Sequence, residues 1–423
     1  MIFIILIINL GSSSLRFNLF SANDLSSICK GICENIGSSH SVINYYIRSE
    51  KKFLDVNLKN HKEAFSHVKY ILNSSVENLD QISAIGHRIV HGGDFFNSPT
   101  LVNSETIEKI RSLIPLAPIH NAANLEGILD CQIEFPGIKQ YAVFDTSFFY
   151  DLPEKSKIYP IPLEISEKYK IKKYGFHGIS HKWAYDQYLS LSKKKECKSI
   201  SCHLGNGSSI CAIKNRIPID TSMGLTPLGG LMMGTRSGSI DPSIVIHLIN
   251  SGMTPNEIND ILNKQSGLLG VSGYSNDIRK LINKNDYRCK LALEMFTYRI
   301  IKFIGSYISA LEGIDSLIFT GGIGQNNSKI RKTISEKFKF LGLEIDDQLN
   351  SNITNCSQII SSKNSKIDVC VVKSNEEKAI AEQVIKLIQV NYSTAVTEMK
   401  QQPNRNVPYN KTKLPIVVEN IDI

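Results

Sequence analysis

Residues 2–20 read IFIILIINLGSSSLRFNLF, and this stretch carries the first decision about the fold. Met1–Ile8 is wholly apolar and β-prone and is stopped by Asn9-Leu10-Gly11, which predicts a buried strand. Gly11-Ser12-Ser13-Ser14 supplies a tight turn, and Leu15–Phe20 alternates as a returning strand. Residues 2–20 therefore predict a β-hairpin with a glycine-serine tip. A secretory leader is not expected, because its basic residue would precede the apolar run, whereas the first one here, Arg16, follows it. The pattern returns in the second half of the chain. Residues 199–213, SISCHLGNGSSICAI, again give strand, Gly-Ser-rich turn and strand, with His203-Leu204-Gly205 standing where Asn9-Leu10-Gly11 stood. Two such hairpins point to a duplicated architecture.

Around the hairpins, helical spacing at Glu105–Ile114, Asn124–Cys131, Pro242–Asn250, Pro255–Asn263 and Cys289–Leu311 alternates with strand-like runs at Gln140–Phe144, Ile314–Thr320 and Asp368–Lys373. That alternation means α/β. Pro153, Pro160 and Pro162 cluster in Tyr150–Pro162 and mark a boundary. The expected division is a first domain over residues 1–150, joined by a last helix over 376–390, and a second domain over 151–375. From Asn391 to Ile423 the pattern decays into Asn, Gln, Thr, Pro and Lys, which predicts a disordered tail.

Composition removes several function classes. A chain of 423 residues with 42% hydrophobic content can give two or three domains a core each. The apolar runs fall short of the ~20 residues that span a bilayer, so no membrane role is expected. Basic residues number 48 against 40 acidic, a net charge of +8 that no segment concentrates. Lys193-Lys194-Lys195 is broken at once by Glu196 and reads as a solvated loop, so no nucleic-acid partner is expected. A mild positive balance suits a small anionic substrate. The nine cysteines show no CxxC pair, which predicts reduced, buried thiols in a cytoplasmic protein.

Glycine in a turn lets phosphate oxygens approach the backbone N–H groups, and serine adds hydroxyl donors. Gly321-Gly322-Ile323-Gly324-Gln325-Asn326, a strand end opening a helix, is a third glycine site suited to nucleotide phosphate. A P-loop, a GxGxxG following a strand and the protein-kinase signatures are all missing. Histidine and arginine gather in Gly86–Gly93, Pro118–Asn121, Tyr174–His181 and Gly234–Gly238. The i,i+4 pairs His87/His91 and His177/His181 could ligate zinc, but HExxH is absent and neighbouring glycines disfavour regular helices there. Arginine in a glycine-flanked loop instead suits an anion.

Taken in order, Asn9–Leu15, Gly86–Gly93, Phe144-Asp145-Thr146, Tyr174–His181, His203–Ser209, Asp220–Arg236, Gly322–Asn326 and Asn375-Glu376-Glu377 make the chain resemble the acetate kinase family, from about residue 4 to residue 388. That family belongs to the acetate and sugar kinase, Hsp70 and actin superfamily. The resemblance implies a duplicated actin-like (ribonuclease H-like) two-domain fold with its active site in the interdomain cleft. It implies reversible ATP-dependent phosphorylation of acetate, with acetyl phosphate and ADP as reverse substrates, a Mg²⁺ or alternatively Mn²⁺ requirement, and a homodimer.

The same resemblance assigns residues. Asp145, His177 and Arg236 match the catalytic positions, and Asn9 and Glu376 the metal site. Arg88 matches the carboxylate-binding arginine, His120 a further site histidine, and Val90, Ile119, Phe176 and Pro227 the lining of the methyl pocket. ATP contacts fall on Ser12, Ser14 and Arg16, on His203, Leu204, Gly205, Asn206 and Gly207, on Asp277, Ile278 and Arg279, and on Gly322, Ile323, Gly324, Gln325 and Asn326. Departures from the family pattern are Arg16 for lysine, Ile179 for threonine, Gly229 and Gln325 for glutamates and Phe149 for histidine.

Acetate is ionised at neutral pH, so in-line transfer needs no base, and Asp145 is expected to orient Arg88 or magnesium-bound water. Propionate or another short-chain fatty acid is the rival acceptor. A non-kinase actin- or Hsp70-like ATPase is the alternative from another class, and Arg88 together with Asp145 argues against it.

Overall fold

The computed structural model describes residues 4–76, 78–353 and 356–401, apart from the side chains of Ile119 and residues 394–401. Strand β1 (Ile4–Leu10) is buried along its length except for half-buried Asn9. A strand covered on both faces reads as a continuous apolar run rather than an alternation. It pairs antiparallel with β2 (Ser14–Ser21), Leu10 opposite Leu15, so the tip is the expected Gly11–Ser14 turn, closed by Gly11 N–H donating to Ser14 O at 2.8 Å.

Three further strands, β3 (Ser27–Glu34), β4 (Ser41–Ile47) and β5 (Glu50–Val56), extend the sheet antiparallel beyond β2. No sequence expectation covered them. The burial of β5 explains why: its residues are exposed or half-buried throughout, and Glu50, Lys51, Lys52 and Asp55 dilute the apolar signal. On the other side of β1 lie β6 (Ile82–Ile89) and β8 (Lys139–Phe144), both parallel to it, with the short β7 (Thr100–Leu101) at the edge.

The second sheet repeats this order. Strand β9 (Lys198–Leu204) pairs antiparallel with β10 (Ser208–Lys214), which pairs with β11 (Ile217–Thr221). On the far side β12 (Ser316–Thr320) and β14 (Asp368–Val371) run parallel to β9, and β13 (Gln358–Ile359) closes the edge. An antiparallel meander, of five strands in the first sheet and three in the second, continues in each into two parallel strands.

The chain divides into two compact units, one of residues up to Ser147 with those from Glu376, the other Phe148–Asn375. The break precedes the proline cluster and lies three residues before the expected end at residue 150. In the first unit, helix Pro118–Glu134 packs on β1 and β6, and helix Glu376–Gln401 crosses β1, β2, β6 and β8. The last helix was expected to stop at Val390, but it continues to Gln401; residues 402–423 of the expected tail lie outside the described residues. Polar composition ended the apolar stripe there without ending the helix. In the second unit, helices Gly178–Ser192 and Tyr287–Leu311 pack on the sheet. Lys193 is the left-handed C-cap of the first, and Lys194 pairs with Asp368 at 2.8 Å.

Gly86 in β6 is where the sheet and the last helix approach most tightly. A Cβ there would lie 2.7 Å from Ile7 Cδ1 and 3.1 Å from the Cγ2 atoms of Ile380 and Val384. Ile380 is fully buried in that contact. We predict that Ile380→Ala lowers unfolding stability by about 2–5 kcal/mol through lost burial and a residual cavity. Chemical denaturation checks this; a loss below about 1 kcal/mol would mean that the helix contributes little to the unit.

Candidate active site

In the first unit the site grows from the end of β6. Arg88, the last residue but one of that strand, turns its guanidinium onto Asp145, which follows β8, with Nη2 donating to Oδ2 at 2.6 Å and Nε to the same oxygen at 3.2 Å. Its Nη1 lies 3.4 Å from Glu376 Oε2, at the start of the last helix. Asp145 is 1% exposed. Burial disfavours the Arg88 charge, but Asp145 first and Glu376 next more than offset it, so the guanidinium is held cationic.

The metal candidates belong to this neighbourhood of the fold. Asn9 stands at the end of β1, which the helix beginning at Glu376 packs against. An amide oxygen and a carboxylate are hard donors that suit Mg²⁺. Among the described residues no group of three or more His, Cys, Asp or Glu side chains could hold a metal ion.

Val90 is half-buried just past β6, and His120 lies in the first turn of helix Pro118–Glu134. Ile119 is in the same turn, its side chain outside the described residues. Ser12 and Arg16 are exposed, and Ser14 closes the hairpin turn through its carbonyl.

The second unit holds a histidine cluster. His177 has φ 59°, a left-handed conformation uncommon for a residue with a side chain, and forms the N-cap of helix Gly178–Ser192. Instead of capping, its ring reaches Ser209 Oγ with Nδ1 at 2.9 Å and stacks on His203 at 4.3 Å between centroids. His181, one turn on, meets the same Ser209 hydroxyl at 2.7 Å and Ser201 Oγ at 3.0 Å. The expectation that glycine keeps His177/His181 off a helix is corrected here: Gly178 is the first helical residue, and His181 N–H donates to His177 O. His181 is occupied by two serine hydroxyls, and burial followed by neighbouring His203 pushes its pKa well below the usual range. Its counterpart His87 sits in β6 against Gln140.

Arg236 approaches from another loop, its Nη1 donating to Pro227 O at 3.3 Å. A Cβ at Gly207 would lie 3.5 Å from His177 Nε2 and 3.7 Å from Arg236 Nη1, so both face the second glycine turn. Phe176, expected in a pocket wall, is buried, and Pro227 is half-buried.

Most of the residues expected from the sequence to contact nucleotide in this unit lie around one cleft. Gly205, Asn206, Asp277, Ile278, Arg279, Gly322, Ile323 and Asn326, with Asn276 and Asn327, line one cleft of about 560 Å³. Gly321 opens it with φ +77°, where a Cβ would strike Leu204 O at 2.5 Å. Gln325, one of the departures, donates from Nε2 to Ser374 Oγ at 2.5 Å, a bond that a glutamate would make as acceptor. Phe149, another, is fully buried and sets its ring edge-on to His181. Ile179 is buried in the helix, and a Cβ at Gly229 would have Gly224 N at 3.7 Å as its nearest neighbour.

Sequence reading gave no role to Ser209, which joins two histidines, or to Asn121 and Asn124, which hold the loop after Arg88. Two asparagines three positions apart inside an apolar helix were the available signal, since Asn is a weak helix former.

The strand order, repeated in both units, defines the class: a mixed α/β protein of the acetate and sugar kinase, Hsp70 and actin superfamily. The acetokinase family model matches residues 4–382. An acetate kinase of Thermoanaerobacter pseudethanolicus is 44% identical over 396 residues, covering 91% of this chain and 98% of the relative. One from Finegoldia magna is also 44% identical, over 90% and 99%. Among solved structures, Porphyromonas gingivalis acetate kinase has a TM-score of 0.86 at 36% identity, covering 91% of this chain and all of that one. A propionate kinase from Francisella tularensis has a TM-score of 0.85 at 43% identity, over 90% and 98%. The chain belongs to the acetokinase family.

Burial holds both His87 and His91 at about 4, below the ordinary histidine value of 6.5. A depressed histidine contributes stability in full above the unfolded value, and that contribution is lost as the pH falls from about 6.5 through 4, where the unfolded chain binds the protons. Thermal melts should therefore show stability declining over that window, less steeply in His87→Gln. An equal slope in the variant would place the titration elsewhere.

Proposed function

We propose that phosphorylation of acetate to acetyl phosphate by ATP, the activity that family membership carries, proceeds in this protein by direct in-line transfer to a carboxylate that needs no base. The observation behind this is the pairing of Asp145 with Arg88: a carboxylate gripped through two guanidinium nitrogens is suited to aiming a cation, not to removing a proton. Acetate has a pKa of roughly 4–5 and is already a nucleophile at neutral pH.

The barrier to be lowered is repulsion. A unit-charge pair at about 4 Å costs ~1 kcal/mol in water and ~4 at an effective dielectric of 20, so excluding water demands compensating cations. Arg88 binds the acetate carboxylate, held in place by Asp145 and Glu376. Arg236 and His177, both facing Gly207, stabilise charge on the transferring phosphoryl group. Ser209 fixes the His177 ring. The cleft between Asn206, Ile278 and Ile323 takes the nucleoside, and the two glycine turns take phosphates. Mg²⁺, held by Asn9 and Glu376 with Mn²⁺ as its substitute, would neutralise phosphate charge when bound.

Val90, Ile119, Phe176 and Pro227 are the proposed methyl-pocket residues. One methylene is worth ~1–3 kcal/mol in such a site, so acetate should exceed propionate by about 10–200-fold in kcat/KM. The propionate kinase name of the Francisella relative makes propionate the rival acceptor. We further propose a homodimer, supported by helix Ser243–Asn250: none of its residues is buried, and Ile244, Ile246 and Ile249 face outward. A cytoplasmic location accords with nine free cysteines, of which only Cys356 is exposed.

Trapping acyl phosphate as its hydroxamate, with acetate, propionate and butyrate in parallel, tests the reading. Acetate should give the highest kcat/KM, and equal or better turnover of propionate would reassign the substrate. Arg236→Ala should lower kcat by about 10²–10³ while moving either KM far less. A kcat within about twofold of wild type would remove Arg236 from the transition state.

A further inference from the structure

Helix Pro118–Glu134 presents two buried amides to the ends of two strands. Asn124, 3% exposed, donates from Nδ2 to Leu10 O at 2.9 Å and accepts at Oδ1 from Val90 N–H at 2.9 Å. Leu10 ends β1, beside Asn9 and the first glycine turn, and Val90 follows β6, two residues after Arg88. Asn121, fully buried one turn earlier, accepts from His91 N–H at 3.0 Å and donates to His91 O at 2.9 Å. These backbone groups lie at or past the strand ends, where ladder partners run out, and the two side chains replace those partners. Only a carboxamide offers one donor and one acceptor on the same head at this size.

We propose that Asn124, assisted by Asn121, is a positioning residue that locks the acetate-binding segment Arg88–His91 to the end of β1 and so to the phosphate turn. The inference rests on the reading of Arg88 as the acetate site. Asn124 touches neither substrate in this scheme. It acts through Val90, whose main chain it fixes and whose side chain belongs to the methyl pocket, and through Leu10, whose carbonyl precedes Gly11.

The linkage has a kinetic signature that general destabilisation lacks. Misplacement by about 1 Å can cost up to ~10²-fold in rate. Asn124→Leu, which keeps the branched shape and removes both hydrogen bonds, should raise the acetate KM about tenfold and lower kcat, with the ATP KM within about threefold of wild type. It should also narrow the acetate-to-propionate ratio in kcat/KM, because Val90 is no longer held. Asn124→Ser, which keeps one hydroxyl, should fall between. Ile128→Val, one turn along the same helix and fully buried, is the control that perturbs packing alone. It should leave the acetate KM and the substrate ratio unchanged. If Asn124→Leu does not fold, Asn124→Ser decides by the same readouts. An acetate KM within about twofold of wild type and an unmoved ratio in the folded variant overturn the proposal alone. Absence of acyl phosphate from the wild type would overturn the kinase reading and this inference with it.

Discussion

Where a parallel strand leaves its sheet, its last backbone amides and carbonyls lose their ladder partners, and beyond β6, β9 and β12 a polar side chain takes over. Thr146 Oγ1 accepts from Gly92 N–H at 2.9 Å beyond β6. Ser374 Oγ accepts from Gly321 N–H at 3.0 Å beyond β12. Ser208 Oγ accepts from Gly205 N–H at 3.1 Å beyond β9. A buried peptide group without a partner costs roughly as much as a lost hydrogen bond, so these contacts are obligatory. The same strand ends carry the glycine turns and Arg88. The requirement to satisfy the backbone and the requirement to present an anion site are met by one set of loops.

Electrostatics follows from that placement. Arg88 is drawn into a largely buried position but keeps its charge, because Asp145 and Glu376 lie beside it. His87, His91 and His181, more deeply buried than Arg88, are driven toward the neutral form by that burial. Burial together with the acidic neighbours thus sorts the site's basic groups. Guanidinium remains the cation, and imidazoles packed into the core become hydrogen-bonding struts. His177 is different in kind, a left-handed N-cap whose ring is held at Ser209 and faces the second glycine turn with Arg236.

Much of this was legible in the chain. The two hairpins fall where the strand-like runs and Gly-Ser tips predicted, because β-prone residues favour strands and a tight turn needs small residues. The α/β alternation and the run of eight motifs fixed the superfamily. Strands β3, β4 and β5 were not read from the sequence; for β5 the reason is that a sheet edge open to solvent carries charges that erase the alternation. The helical extension to Gln401 was missed because the helix persists after the apolar stripe stops.

By itself, then, the sequence determined the two hairpins and the α/β alternation, where the glycine turns lie and which residue types stand in them. Period and composition act locally and need no partner. Tertiary structure alone decided that Arg88 pairs with Asp145 and Glu376, that Ser209 joins His177 to His181, and that Asn124 spans Leu10 and Val90. Periodicity says which face a side chain occupies. Which groups from distant segments lie opposite that face depends on strand register and helix packing, and only the folded chain sets both.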